Sequence, residues 1–373
     1  MKVIVVGAGI VGASTAYHLA REGVEVVVVD YQHEGQATAA GAGIVCPWIS
    51  SGDDNHPDLY ALANAGACYY PSLISMLGQD GETNVSYRLV GAMAVNSDEA
   101  KLDAIEQMVR KRQSETPEVG EVRRLSAAEA QALFPPLNSG IGAVYVTGAA
   151  RIDGRLVRDA LNRAAQKHGA LYQSGEADLE AKDGKVVGVR VKDQFISADA
   201  VVVTAGAWIS KVLAPLGIDV SIVPQRGQII HLEVPGYDTS DWPVILPQND
   251  HYLVSFDHSR VVVGATRETG SGFDYRVTAS GVKEVLDKAL SVAPGLANGT
   301  LKEIRIGFRP FGKELSPLIG PVPSMEGLVI ANGLGASGLT MGPYVGLTAA
   351  NLVLGNELDL DLTPFDPFRK VTV

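Results

Sequence analysis

The sequence of 373 residues predicts an α/β fold in which a Rossmann-like domain is interleaved with an α+β domain built on an antiparallel sheet. The chain opens with a strand, a helix and a second strand over residues 2–30, and both strands are nearly continuous runs of valine and isoleucine. From about residue 220 the hydrophobic pattern changes to period 2, which is typical of antiparallel strands. The length also exceeds the roughly 50–250 residues of a typical domain.

Composition and charge exclude several classes of protein. The chain is 46% hydrophobic and 20% charged, as in globular proteins, and its formal net charge is −11. A surface of this charge repels nucleic acid and disfavours anionic membranes. Its two cysteines are too few for a disulfide framework or a cysteine-rich metal site, so we expect no metal.

The first strand leads into a glycine-rich turn that is typical of dinucleotide binding. Gly7 permits the tight turn, Gly9 leaves room for a pyrophosphate, and Gly12 lets the following helix pack closely on the strand. The N–H groups at the start of that helix, which include those of Ile10 and Val11, are donors for phosphate oxygens. The alternative is a structural strand–helix–strand unit that binds nothing.

The second strand ends on Asp30, 18 residues after Gly12. A carboxylate at this position accepts hydrogen bonds from both ribose hydroxyls and disfavours a 2′-phosphate, which argues against NADP. The motif does not separate FAD from NAD. The next segment, residues 35–48, consists largely of small residues and contains Thr38, Ala42, Gly43 and Ile44, which favour close approach of the backbone to a large ligand. A flexible linker is the alternative.

Together these segments resemble the D-amino-acid oxidase superfamily of flavoenzymes, and within it glycine oxidase and the D-amino-acid dehydrogenases. Four blocks carry the resemblance, at residues 7–30, 38–45, 200–208 and 304–355. Asp30 departs mildly, since the family often has glutamate there. The resemblance implies FAD. Residues 304–355 lack the cysteine that attaches FAD in the sarcosine-oxidase branch, so we expect non-covalent binding.

The resemblance also implies further cofactor contacts. Residues 200–208 would close over the cofactor, residues 171–178 would reach adenine, and the glycine-rich loop before a helix at 343–354 would cradle the pyrimidine edge of the flavin. The implied contact residues are Ala177, Gly206, Trp208, Gly335, Gly338, Leu339 and Thr340.

Two residues are implied to bind the substrate. Arg309 lies in a Gly-x-Arg-Pro motif whose arginine pairs with the substrate carboxylate, and Tyr252 resembles a tyrosine that adds a hydrogen bond. The alternatives are a structural role for Arg309, with Arg305 as the competing guanidinium, and a core aromatic at Tyr252. Arg226 is predicted either near the flavin ring or in a structural role.

The implied activity is oxidation of the C–N bond of a small amino acid, a D-amino acid, glycine or an N-substituted glycine, to an imine by hydride transfer to flavin N5. The electron acceptor is oxygen, a quinone or another carrier. The alternatives are a 2-hydroxy-acid or L-proline-type dehydrogenase and the FAD subunit of a heteromeric dehydrogenase. The sequence leaves open whether the protein forms a homo-oligomer and whether it associates peripherally with a membrane.

The predicted FAD-binding domain comprises residues 1–84, 142–222 and 305–373, and the substrate-binding domain comprises residues 85–141 and 223–304. The apolar N-terminus imitates a signal peptide, but it forms part of the nucleotide motif, so we expect a cytoplasmic protein. Other predicted elements are a strand at 85–95, a capping box at 126–129 and helices at 97–114, 153–168 and 279–292.

Overall fold

The computed structural model describes residues 1–50, 56–312 and 316–369. The helices of these ranges, α1–α9 in chain order, are Ile10–Arg21, Pro47–Ser50, Pro57–Gln79, Glu99–Glu115, Ala127–Leu133, Gly154–Lys167, Ile209–Leu213, Ala279–Val292 and Gly338–Leu354. The strands, β1–β21 in chain order, are Lys2–Val6, Glu25–Asp30, Ile44–Val45, Arg88–Leu89, Ala92–Asn96, Val122–Leu125, Gly142–Val146, Ala150–Arg151, Leu171–Ser174, Asp178–Lys182, Lys185–Val191, Gln194–Ser197, Ala200–Val203, Ile222–Glu233, Val244–Leu246, Tyr252–Phe256, Arg260–Gly264, Glu268–Thr269, Thr300–Gly312, Leu318–Pro321 and Leu328–Asn332.

A six-stranded sheet in the order β20-β21-β13-β1-β2-β9 confirms the predicted Rossmann-like architecture. Its strands are parallel except for β20, which runs antiparallel to β21 at the edge. In β1, Val3 and Val5 pack toward helices α1, α6 and α9, whereas Ile4 and Val6 pack toward β11 and α7. Both faces of the sheet are therefore covered, which explains why its central strands are apolar without interruption.

A nine-stranded sheet holds the segments with period-2 patterning. Its order is β18-β14-β17-β16-β15-β5-β7-β6, with β19 also paired to β14. Its neighbours are antiparallel except for β15 and β5. One face packs against helix α8, while alternate residues of the same strands join the core beside the six-stranded sheet. This alternation is the physical source of the period-2 pattern, and the mixed fold class is confirmed.

The strands of the two sheets alternate along the chain, as the predicted interleaving requires, but two strands do not fit the predicted domain bounds. Strand β7 pairs with β5 and β6 in the nine-stranded sheet, although it lies in the segment predicted to begin the second piece of the FAD-binding domain. Strand β19 spans the predicted boundary at residue 304 without interruption. The predicted domain bounds therefore stay a prediction.

The helices predicted from the sequence agree with the structure where a capping residue marks the start of the helix. The capping box at Ser126 and Glu129 is present, and α8 spans the predicted residues. The helix predicted from residue 97 begins at Glu99, because the Asp98 side chain accepts the Ala100 N–H and caps it. The strand predicted at 85–95 divides into β4 and β5 at Gly91, whose φ is +74°. The 23-residue helix α3 was not predicted.

Helix α9 begins at Gly338, so the predicted start at residue 343 is wrong. Pro343 lies inside the helix and has no N–H to donate to the carbonyl of Leu339, four residues earlier. The hydroxyl of buried Tyr70 on α3 donates to that carbonyl instead. This bond replaces the missing backbone bond and lets the helix extend past the proline.

Replacement of Tyr70 with phenylalanine is expected to destabilise the fold by about 1–3 kcal/mol, because the Leu339 carbonyl loses its donor in a buried position. Urea denaturation measures the loss. A Tyr70→Phe/Pro343→Ala double variant should recover most of it, since alanine restores the backbone N–H. Tyr87→Phe is the control, because Tyr87 stacks on Tyr70 at 5.6 Å without bonding to α9. Equal losses in the single and double variants would contradict this account.

Helices α1 and α9 pack closely because glycines face the contact. A Cβ on Gly342 would lie 2.7 Å from Ile10, and one on Gly346 would lie 2.4 Å from Ser14. The Ser14 hydroxyl also donates to the Pro343 carbonyl at 2.6 Å. This packing holds the N-termini of both helices beside the same edge of the six-stranded sheet. No helix of the described part is long and apolar enough to cross a membrane.

Candidate functional site

A cavity of about 350 Å³ opens at the carboxyl ends of β1, β2 and β13 and extends to the nine-stranded sheet. Ligands of open α/β sheets bind at this edge. The predicted site residues that line it are Gly7, Gly9, Ile10, Val11, Asp30, Thr38, Ala42, Gly43, Ile44, Ala177, Gly206, Trp208, Tyr252, Arg309, Gly335, Gly338, Leu339 and Thr340. The structure therefore brings together residues that are up to 333 positions apart in the chain.

Of the predicted cofactor contacts, Gly12 does not line the cavity. A Cβ there would lie 1.8 Å from the Gly7 carbonyl oxygen and 2.5 Å from Thr204 Oγ1, so Gly12 is required for helix α1 to approach the turn. Gly7 has a φ of +103°, which an L side chain rarely adopts. These two glycines shape the turn. Gly9 faces open space, since a Cβ there would meet only Thr38 Oγ1, at 3.5 Å.

The start of α1 is tied to the small-residue segment by Thr38. The Ile10 N–H donates to Thr38 Oγ1 at 3.0 Å, so this hydroxyl occupies one of the N–H groups that have no partner within the helix. Gly9 and Val11, on either side of Ile10, line the cavity at a helix end that carries partial positive charge. This end of the cavity is suited to a phosphate.

Asp30 lies at the end of β2 with its carboxylate held by backbone groups. The Ala8 N–H donates to Oδ2 and the Gln32 N–H donates to Oδ1, each at 2.5 Å, and the Gln36 side chain adds a longer bond at 3.2 Å. A carboxylate has about four acceptor positions, so Asp30 retains acceptor capacity toward the cavity for ribose hydroxyls.

The N-terminus of α9 faces the same cavity. Its first residues, Gly338, Leu339 and Thr340, line the wall, and no side chain caps the helix. Gly335 and Gly206 have φ values of +52° and +55°, and a Cβ on either would meet nothing within 4 Å. Two helix N-termini and glycine-lined walls fit a large ligand with a flat ring and a pyrophosphate, as FAD has.

Aromatic rings form one edge of this part of the cavity. The Trp208 ring stacks on His33 with centroids 4.5 Å apart and on Phe273 at 4.9 Å. Burial lowers the pKa of His33, so the neutral imidazole is favoured in this stack. His33 was not predicted from the sequence, because no motif marks a histidine in the loop after β2. Ala177 lies between β9 and β10 and lines the same cavity as Asp30.

Arg309 is half-buried at the other end of the cavity. Its Nη1 donates to the Thr266 carbonyl at 2.9 Å and to Gln225 Oε1 at 3.4 Å. The guanidinium lies against Gly227, where a Cβ would be 2.7 Å from Nη1. Burial lowers the pKa of Arg309. The Tyr252 phenol raises this pKa, and the Arg267 cation lowers it further. Within the described residues no carboxylate forms an ion pair with Arg309, so a half-buried cation is left for an anionic ligand.

Tyr252 begins β16 and lines the cavity wall with Arg309. A Cβ on Gly264 of β17 would lie 2.9 Å from its hydroxyl, so this glycine leaves room for the phenol. Burial raises the pKa of Tyr252, against the effect of Arg309 and Arg267, so the hydroxyl stays protonated at neutral pH. It has no hydrogen-bond partner among the described residues and remains a donor for a ligand.

The competing arginines of the sequence analysis lie outside the cavity lining. Arg305 pairs with Glu303 at 2.7 Å. Arg226 is buried and pairs with Glu268 at 2.6 Å and with Asp274 at 2.9 Å, which favours the structural role among the two alternatives for this residue. Arg309 is therefore better placed than Arg305 to meet a substrate.

The cavity also contains a second arginine, which was not predicted from the sequence. Arg267 lines the wall near Tyr252 and pairs with Asp250, Nη2 to Oδ1, at 3.1 Å. It lies between β17 and β18 outside any recognisable motif, so no pattern could have indicated it. Among the described residues no cluster of histidine, cysteine, aspartate or glutamate is suited to hold a metal ion.

This fold, in which one cavity lies between a Rossmann-like sheet and a mostly antiparallel sheet, is typical of enzymes that bind a dinucleotide cofactor. The chain belongs to the DAO family of FAD dependent oxidoreductases, whose model matches residues 2–352. It is therefore an FAD-dependent oxidoreductase.

Several relatives match over nearly the whole chain. The uncharacterized oxidoreductase YurR of Bacillus subtilis is 50% identical, with 98% of each chain covered. Glycine oxidase of Pseudomonas aeruginosa is 30% identical, also with 98% of each covered. The crystal structure of iminodiacetate oxidase (IdaA) from Chelativorans sp. BNC1 is 50% identical, superposes with a TM-score of 0.95 and covers 98% of both chains.

Proposed function

We propose that the protein oxidises the C–N bond of a small amine that carries a carboxylate, an amino acid or an N-substituted glycine, to an imine. The observation that carries this proposal is the half-buried Arg309, which lacks a carboxylate partner among the described residues and shares its cavity with two helix N-termini. Glycine oxidase and iminodiacetate oxidase are named for amines that bear a carboxylate on the carbon next to nitrogen.

Arg309 and Tyr252 bind the substrate carboxylate in this proposal. The planar guanidinium pairs with both carboxylate oxygens, and the phenol donates a further hydrogen bond. With the carboxylate held, the adjacent Cα–H has one orientation in the cavity, so the protein contributes mainly positioning. No protein base is required, because the lone pair of a neutral amine assists loss of the hydride.

FAD is held without a covalent bond in this proposal. The chain has two cysteines, Cys46 and Cys68, and neither lines the cavity. The N–H groups at the starts of α1 and α9 would bind the pyrophosphate and the pyrimidine edge of the flavin, and Asp30 would bind the ribose. Bound FAD supplies the acceptor for hydride at flavin N5, which leaves an imine that water hydrolyses.

An anaerobic substrate panel tests this function. Yellow, acid-releasable flavin is expected, and it should be bleached by one or more of glycine, N-methylglycine, iminodiacetate, D-alanine and L-proline. Readmission of air then distinguishes an oxidase from a dehydrogenase that needs a quinone or another carrier. A colourless protein, or a flavin bleached by lactate and by none of the amines, would contradict the proposal.

A further inference from the structure

Three aromatic rings form a stack at the end of the cavity where Asp30 lies. Trp208 follows β13 and His33 follows β2, both strands of the six-stranded sheet, and both residues line the cavity. Phe273 comes instead from the segment between β18 of the nine-stranded sheet and helix α8. The Trp208 ring is nearly parallel to both of the others, at 4° to His33 and 15° to Phe273. One sheet therefore supplies a ring to a cavity wall that the other sheet carries.

The segment that carries Phe273 has little packing of its own. None of residues 267–280 is buried. Gly270 and Gly272 have φ values of +84° and +57°, and a Cβ on either would meet nothing within 4 Å. Segments with few buried contacts open locally at a small cost in free energy. Residues 270–277, which we call the strap, are therefore able to move without disruption of either sheet.

One side of the strap is fixed to the sheet from which it comes. Buried Arg226 of β14 donates to the carbonyls of Asp274 and Arg276 at 2.9 and 3.3 Å, and it pairs with the Asp274 carboxylate at 2.9 Å. The other side of the strap faces the loop after β2, where a Cβ on Gly35 would lie 3.2 Å from the Tyr275 ring. The strap thus spans the space between the two sheets.

Phe273 covers the cavity wall from outside. It is 46% exposed and does not line the cavity, whereas Trp208, on which it stacks, does. We propose that the strap closes the FAD-binding end of the cavity, that Phe273 is its latch on Trp208, and that the strap opens for FAD to enter or leave. The inference concerns exchange of the cofactor and does not depend on which amine the enzyme oxidises.

The kinetics of FAD exchange distinguish a strap that opens from a wall that touches FAD. Holoenzyme that carries radiolabelled FAD is mixed with excess unlabelled FAD, and loss of the label gives the rate constant for release. Dilution of the holoenzyme to equilibrium gives the dissociation constant, from the fluorescence of the released FAD. A weaker latch speeds entry and release alike and leaves the dissociation constant unchanged, whereas a lost contact with FAD weakens binding.

Phe273→Ala is expected to raise the rate constant for FAD release about 3- to 10-fold, the factor that one aromatic pair supplies. We expect less than about a twofold change in its dissociation constant, because Phe273 does not line the cavity. Phe273→Tyr keeps the stacked ring and should release FAD at the wild-type rate. Phe195→Ala is the matched control, since Phe195 is 42% exposed and lies outside the cavity lining. It should change neither constant.

Cleavage by trypsin reports on the strap itself. The Arg276 side chain is 83% exposed, but the carbonyl of the bond that trypsin would cut accepts a hydrogen bond from Arg226. Cleavage of the holoenzyme after Arg276, identified from the masses of the fragments, should be faster in Phe273→Ala than in wild type. A release rate or a cleavage rate equal to that of wild type would overturn the proposal. Faster release with an equally raised dissociation constant would also overturn it, because Phe273 would then act only as a contact with FAD.

Discussion

Arg309→Met is expected to lower kcat/KM for carboxylate-bearing amines by about two to three orders of magnitude. Removal of one partner from a buried, hydrogen-bonded charge pair costs about 2–5 kcal/mol. Part of the loss should appear as a higher KM and part as a lower kcat, because the carboxylate bond both holds the substrate and orients its Cα–H. Steady-state kinetics with the best amine of the panel measures both.

The Arg309 variant should keep its flavin and its fold. Methionine retains an apolar chain against Gly227, and replacement of a half-buried charge that has no carboxylate partner by an apolar group is often tolerated. Arg305→Met is the matched control, since it removes a guanidinium from the same strand outside the cavity lining. An Arg309 variant with the kinetics of wild type would remove this residue from the substrate site.

Gly9→Val is expected to give a folded protein without flavin. The backbone of Gly9, with φ −69° and ψ −173°, is one that any residue adopts, and the added side chain would meet only Thr38 before it enters the cavity. It would therefore occupy the place of the pyrophosphate. A steric cost of about 1–3 kcal/mol weakens binding about 10- to 100-fold. The ratio of flavin absorbance to protein measures the loss.

Two other glycines separate this effect from general damage. Gly12→Ala should instead lower the unfolding temperature, because its Cβ would collide with the Gly7 carbonyl at 1.8 Å. Gly78→Val on α3 should keep its flavin, since a Cβ there meets nothing within 4 Å. Full flavin content in Gly9→Val would show that this turn does not hold the cofactor.

The parts of the fold that depend on the order of neighbouring residues, such as apolar runs and glycine turns, were predictable from the sequence. The segment from β1 to β2 combines apolar strands with a glycine turn, and the structure has the predicted strand, helix and strand within residues 2–30. Arg309 and Tyr252 were indicated by resemblance, and strand pairing brings them to the same cavity. Gly12 was also predicted to contact the cofactor. The short distances from a Cβ on Gly12 to Gly7 and Thr204 instead indicate that it lets helix α1 pack on the turn, which the same glycine motif also predicts.

Features that depend on distant partners were not predictable. The helix expected from residue 343 begins at Gly338, and the carbonyl that Pro343 leaves without a backbone donor accepts from Tyr70, 273 residues earlier in the chain than the proline. The place of β7 depends on its pairing with β5 and β6. Arg267 follows Thr266, whose carbonyl accepts the hydrogen bond from Arg309 on β19, and residue spacing in the sequence does not reveal this contact.

A single anaerobic turnover tests the central claim, that a carboxylate-bearing amine loses a Cα hydride to bound FAD. The oxidised enzyme is mixed with a glycine-type amine, with and without deuterium at Cα, and flavin reduction and glyoxylate are both measured. We expect one glyoxylate for each flavin reduced and slower reduction of the flavin by the deuterated amine. Flavin reduction without glyoxylate, or at a rate that deuterium leaves unchanged in every glycine-type amine, would contradict the claim.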